Sequence, residues 1–155
     1  MNGWNGLAID GDERNYEEMK KNRKTAVCAV VSDKEDEVDF WRASDDPDLS
    51  GLVKLDGNGI EGVRVRPVKL EKILEDNKID KVHLLSIDTE GTEKDVWRSF
   101  DYMKHKPDIV VIEFITQGKV TEGLGEFFKG YDYAFRARIG PNLIFFRNWR
   151  DDKHD

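Results

Sequence analysis

The run Val82-His83-Leu84-Leu85-Ser86-Ile87 ends abruptly in Asp88, Thr89, Glu90 and Gly91. A short apolar run that stops at polar and glycine residues reads as a strand. In an open α/β sheet, ligands bind in the crevice outside the carboxyl ends of the strands. A strand that delivers two acids to that edge, one residue apart, is therefore aimed at chemistry.

The rest of the chain alternates strand and helix patterns. Gly6 to Asp10 is a short apolar strand ending in an acid. Asp12 is placed to cap a helix running to about Asn22, with Tyr16 and Met19 on its inner face. Thr25 to Val31 is a continuous β-branched run, as expected of a strand buried on both faces. Val38 to Arg42 alternates like an accessory strand, and Ala43 to Gly51 is a polar loop. Leu52 to Leu55 and Gly62 to Val68 resemble a hairpin about Asp56-Gly57-Asn58-Gly59. Leu70, Ile73 and Leu74 recur at helical spacing. Thr92 is placed to cap the next helix, with Asp95 completing a variant capping box. That helix should bury Val96, Trp97 and Phe100. Pro107 introduces a strand from Ile109 to Phe114, and a short helix holds Leu124, Phe127 and Phe128. Tyr131 to Arg138 and Asn142 to Phe146 close the fold as an antiparallel hairpin around Gly140-Pro141. The pattern predicts an α/β domain with a mostly parallel sheet, made mixed by the terminal hairpin.

The 155 residues fit one domain, assigned to residues 1–148 with a charged tail at 149–155. A net charge of −7 argues against attraction to nucleic-acid phosphates. Cys28 is the single cysteine, which excludes a disulfide framework, and its apolar neighbours predict burial. No apolar run approaches the ~20 residues of a membrane span, and the N-terminus does not resemble a signal peptide. A cytoplasmic protein without membrane contact is the expectation.

Four acidic positions fall at or just beyond the ends of expected parallel strands: Asp10, Asp33, Asp88 with Glu90, and Glu113. An acid after a strand commonly caps the following helix. Four in succession along one edge make a purely structural account weaker. A carboxylate there can accept ribose hydroxyls, hold a metal, or act as a general base. Gly57-Asn58-Gly59-Ile60-Glu61-Gly62 satisfies the spacing G-x-G-x-x-G. That fingerprint must open a helix, whereas Val63 to Pro67 alternates like a strand, so a turn is the better reading. His83, His105 and His154 show no metal-ligand spacing. The signatures of zinc proteases, serine hydrolases and P-loop enzymes are absent from the sequence. Arg64, Arg66, Lys69, Arg136 and Arg138 fit a solvated hairpin face as well as an anionic substrate site.

Ser86-Ile87-Asp88-Thr89-Glu90-Gly91-Thr92-Glu93 resembles the central signature of FkbM-type methyltransferases, which use S-adenosylmethionine. Trp4 to Asp10, with Asn15-Tyr16 and Asn22-Arg23, is similar to that family's second-strand region. Pro107 to Glu113 and the closing hairpin also match, so the likeness covers nearly the whole chain. It implies a Rossmann-like class I sheet and O-methylation of a hydroxyl on a sugar or small natural product. Asp10 would grip the cofactor ribose, Ser32 and Asp33 would approach the adenine, and Asp88 with Glu90 would line the methyl-transfer site. Asp88 or Glu90 would take the acceptor's proton, and Asp88 would also lie near the methionyl end.

In that family a first strand and glycine-rich loop precede the segment that opens this chain. Such a unit occupies roughly 30 residues, and five residues stand before Gly6. The resemblance thus implies an N-terminally truncated domain. The strands of Asp10 and Asp88 must then pair directly or leave an opening. An exposed edge recruits another chain, which predicts a homo-oligomer or a complementing N-terminal segment beside the small-molecule or glycan substrate. Two rival readings are a non-catalytic binding or assembly remnant of the fold, and a Mg²⁺-dependent hydrolase using Asp88, Glu90 and Glu113.

Overall fold

A computed structural model of the chain describes residues 5–54, 59–116 and 119–148. The turn expected at Asp56, Gly57 and Asn58 lies outside the described residues, as do Trp4 and the charged tail.

Strand β1 (Leu7–Asp10) leads into α1 (Glu13–Asn22) and then β2 (Thr25–Cys28). As the sequence suggests, Asp12 caps α1, its side chain accepting from the Arg14 N–H at 3.0 Å. Strands β1 and β2 pair in parallel, Leu7 opposite Thr25 and Asp10 opposite Cys28. β2 is shorter than the apolar run that contains it, and it is half-buried. β1 is its one ladder partner among the described residues. Cys28 is consequently exposed rather than buried.

β3 (Val38–Ala43) pairs antiparallel with β4 (Ile60–Val65), Val38 facing Val65 and Ala43 facing Ile60. Among the described residues, the hairpin expected between 52–55 and 62–68 is replaced by the β3–β4 pairing. Instead residues 46–54, with a 3-10 turn at Pro47–Leu49, fold back as a strap along the other edge of β3. Gly51 and Trp41 exchange both backbone hydrogen bonds there, at 2.8 and 3.0 Å. The alternating pattern of β4 was legible; its partner, some twenty residues upstream, was not.

α2 (Leu70–Asp76) buries Leu70, Ile73 and Leu74. β5 (Leu84–Ile87), α3 (Glu93–Arg98), α4 (Tyr102–His105) and β6 (Ile109–Glu113) follow. Two-residue strands β7 (Ile115–Thr116) and β8 (Lys119–Val120), helix α5 (Leu124–Lys129), β9 (Tyr133–Ile139) and β10 (Asn142–Arg147) complete the chain. β5, β6, β10 and β9 form one four-stranded sheet in that order. β5 runs parallel to β6, while β10 is antiparallel to both β6 and β9.

Trp97, 1% exposed, stands at the centre of the core over this sheet. Five aromatic rings pack around it, Phe128 at 4.7 Å and Phe100 at 5.2 Å between centroids, then Tyr133, Tyr131 and Tyr102. The tilts of most of these pairs suit the quadrupoles of the rings. The architecture is mixed α/β, with the parallel ladders confined to β1–β2 and β5–β6 among the described residues. β1 and β5 do not pair with each other. An opening separates them.

Candidate functional site

That opening is a cavity of about 150 Å³. Its floor is apolar, from Ile9, Ala29, Val30, Val31, Leu85 and Ile87, and its rim is carboxylate. Asp10 comes from the end of β1, Asp88 and Glu90 from beyond the end of β5, and Asp48 from the strap. The strand-end acids Asp10 and Asp88 therefore share one cavity, on the same rim. No Lys, Arg or His belongs to the lining among the described residues.

Asp10 does local structural work as well. Its Oδ1 accepts from the Asp12 N–H at 2.7 Å and its Oδ2 from Asn15 at 3.1 Å. Burial raises its pKa against those hydrogen bonds. Ser32 is fully buried, its Oγ accepting from the Lys34 N–H, and Asp33 is half-buried. Neither lines the cavity, whereas the three residues Ala29, Val30 and Val31 just before them do.

Asp88, Glu90 and Glu113 each offer a carboxylate oxygen, and these lie within 4.8 Å of one another. The strand pairing explains the convergence: β5 and β6 are parallel neighbours in register from Leu84–Ile109 to Ile87–Ile112, so both end at the same level. Carboxylates this close resist simultaneous ionisation. Burial, then the charge of Asp88, pushes the Glu90 carboxyl up to about 7. Burial, then the charge of Asp88 and a hydrogen bond with it, also raises the Glu113 carboxyl. Such an oxygen cluster can hold a hard cation or accept a proton.

The loop Asp88–Gly91 is held in place by Glu93. This side chain is 1% exposed, and its Oε1 accepts from the N–H groups of Gly91 at 2.8 Å and Thr89 at 3.2 Å. The Thr92 side chain makes no cap bond to the helix; its hydroxyl donates to the Thr89 carbonyl at 3.3 Å instead. Glu93 ties down the turn from inside α3, which leaves the capping box expected of Thr92 and Asp95 without a role. Glu90 has a left-handed backbone (φ 55°), followed by Gly91 at φ 104°. Those two positive angles bend the chain so that the Glu90 side chain faces the cavity.

The strap forms the opposite wall. A Cβ on Gly51 would stand 3.2 Å from the Glu90 Cβ and 3.3 Å from the Thr89 carbonyl oxygen. The strap is tethered by Ser50, whose Oγ donates to Asp12 Oδ2 at 2.9 Å. Arg14 clamps both Asp12 oxygens, Oδ1 at 2.9 Å and Oδ2 at 2.7 Å, and donates to the Ala43 and Ser44 carbonyls at 2.6 and 2.9 Å. Bonds from Arg14, more than anything else, hold the Asp12 carboxyl at about 2. Asp48, Glu93 and the Ser50–Asp12 tether are contributions the sequence did not disclose. For Glu93 a signal existed: an acid two residues after a glycine that follows a strand can reach back to the free N–H groups of the turn.

An acid-rimmed cleft at the carboxyl ends of parallel strands stands where open α/β sheets bind their ligands. The family model described as the methyltransferase FkbM domain matches residues 2–137. The chain belongs to that family and carries its methyltransferase domain. No curated protein and no solved structure matches it.

Proposed function

We propose that the protein transfers a methyl group from S-adenosylmethionine to a hydroxyl of a sugar or small natural product, on a Rossmann-like class I frame. One observation carries this reading: Asp10, Asp88 and Glu90 rim a single cavity whose lining contains no cationic side chain among the described residues. A polyphosphate cofactor would meet only repulsion there, whereas a sulfonium and an ammonium are attracted. The apolar floor suits an adenosyl ring, and Asp10 retains lone pairs for ribose hydroxyls beyond its two local bonds. The cavity's 150 Å³ is smaller than the ~300–1,000 Å³ of most small-molecule pockets. Outward movement of the strap would enlarge it.

Bound there, S-adenosylmethionine would supply an electrophilic methyl carbon whose bond to sulfur breaks with its electron pair returning to sulfur. The chain's task is to prepare the acceptor. The Glu90 carboxylate takes the hydroxyl proton as the oxygen lone pair engages the methyl carbon, leaving an ether and a protonated Glu90. A base whose pKa lies near 7 is well matched to that transfer. Asp88 keeps the field negative next to the developing positive charge on the acceptor oxygen. Glu93 fixes the turn that carries both.

Calorimetry with S-adenosylmethionine tests the reading. Measurable heat at millimolar ligand is expected, weakened about tenfold by Asp10→Ala, a loss that a pair of charge-assisted hydrogen bonds can account for. Glu90→Gln should keep cofactor binding and lower turnover by about 10²–10⁴-fold. An absence of heat would remove the cofactor from the proposal altogether.

A second reading draws on the 4.8 Å cluster of Asp88, Glu90 and Glu113. A hydrolase using Mg²⁺ held by these oxygens would show metal uptake that Asp88→Ala abolishes, with no response to S-adenosylmethionine.

A further inference from the structure

The charge of the cavity goes beyond what a cofactor alone would need. Asp10, Asp48, Asp88 and Glu90 all line it, and no Lys, Arg or His does so among the described residues. None of the ion pairs among the described residues reaches any of these four acids. The surplus continues into the wall. Glu113 is 8% exposed with an oxygen inside the same 4.8 Å cluster. Glu93, 1% exposed, acts on both Glu90 and Glu113 through its charge. Its Oε2 is buried without a hydrogen-bond donor. The lining therefore has carboxylate acceptors in excess and no cationic donor among the described residues.

S-adenosylmethionine carries a sulfonium, an ammonium and a carboxylate, which leaves one net positive charge. The four acids of the rim, with Glu93 behind them, outnumber that single charge. Neutral hydroxyls would relieve little of the repulsion, and a phosphate or carboxylate would add to it. An ammonium is a compact cation with three donors and no acceptor, the complement of a carboxylate-rich rim.

We propose that the acceptor of this enzyme is an amine-bearing hydroxylated molecule, such as an amino sugar, whose ammonium sits among Asp48, Asp88 and Glu90 while a neighbouring hydroxyl is presented for methylation. The identity of the reaction rests on the methyl-transfer reading; the charge preference of the cleft does not. Negative analogues are repelled by the field of the site and neutral ones gain nothing from it, so the selection works by repulsion as well as attraction.

The test is a titration followed by amide chemical shifts of Thr89, Gly91 and Glu93, with three probes of similar size: glucosamine, glucose and glucose 6-phosphate. It is run on the free protein and again with S-adenosylhomocysteine present. Glucosamine should bind at least about tenfold more tightly than glucose, the factor one modest charge-assisted contact supplies, and glucose 6-phosphate should leave the shifts unmoved. Asp88→Asn and Glu90→Gln should each narrow the gap between glucosamine and glucose. Equal binding of glucose, tighter binding of the phosphate, or silence from all three probes would overturn the proposal. So would Mg²⁺ that moves the same amides and erases the glucosamine preference, because the acids would then serve a metal. Failure of S-adenosylhomocysteine to bind, with the glucosamine preference intact, would sink the methyl-transfer reading and leave the charge selection standing.

Discussion

The two sides of the cavity are held together by different physics. On the side of β5, β6, β10 and β9, burial does the work: Trp97, Phe128, Phe145, Val110 and Ile112 are each at most 1% exposed. On the side of β1, β2 and α1, no residue of the helix is fully buried, and both strands are half-buried at best. There the organising element is a polar knot in which Asp12 joins Arg14, Ser50 and the head of α1. Apolar packing is insensitive to pH and tolerates little change of shape. A knot of charged hydrogen bonds is directional and can be opened by protonation. The cleft thus has a stiff wall carrying Asp88 and Glu90, and a wall with Asp10 and the strap whose hold is chemical.

The comparison can be broken most sharply at Trp97. Trp97→Ala should cost about 3–5 kcal/mol, a large part of the roughly 5–15 kcal/mol available to a domain. Denaturant unfolding of the variant should retain little of the native baseline. A loss below 1 kcal/mol would show that the aromatic cluster is not the keystone of the sheet.

Asp12→Ala comes next, at about 2 kcal/mol, the worth of moving a carboxyl from its ordinary value to about 2. The sign follows from that depression. The contribution is present in full above about pH 4, where the unfolded carboxyl is ionised, and is lost as pH falls through about 2. Wild type and Asp12→Ala should therefore converge in thermal melts in strong acid and separate near neutrality. Curves that stay parallel across that range would show the knot to be electrostatically idle.

Ser50→Ala is the smallest of the three, at about 1 kcal/mol for one hydrogen bond. A double-mutant cycle with Asp12→Ala should be non-additive, since the second change removes a bond the first has already broken. Additive losses would mean that the strap is not anchored through this pair.

The stiff wall was the more legible of the two. Its helices declare themselves by periodicity at Leu70, Ile73, Leu74 and at Val96, Trp97, Phe100, and its last hairpin by Gly140-Pro141. Asp88 and Glu90 could be placed at the rim because a strand's direction fixes where its end lies. The other wall depends on partners distant in the chain. The β3–β4 pairing and the Gly51–Trp41 bridge leave no mark in local spacing, so the loop that carries Asp48 read only as polar. Cys28 was misjudged for a related reason: β-branched neighbours report strand propensity, whereas burial depends on what covers the strand.

The backbone at Glu90 has a consequence for reading other sequences. A non-glycine residue held at φ 55° sacrifices on the order of 1–2 kcal/mol of conformational preference, which glycine would recover and asparagine would reduce. A lineage released from chemistry should therefore drift toward glycine or asparagine at this point, because both make a more comfortable fold. Retention of the acid there, against its own torsional discomfort, would distinguish working homologues from those that keep the shape alone.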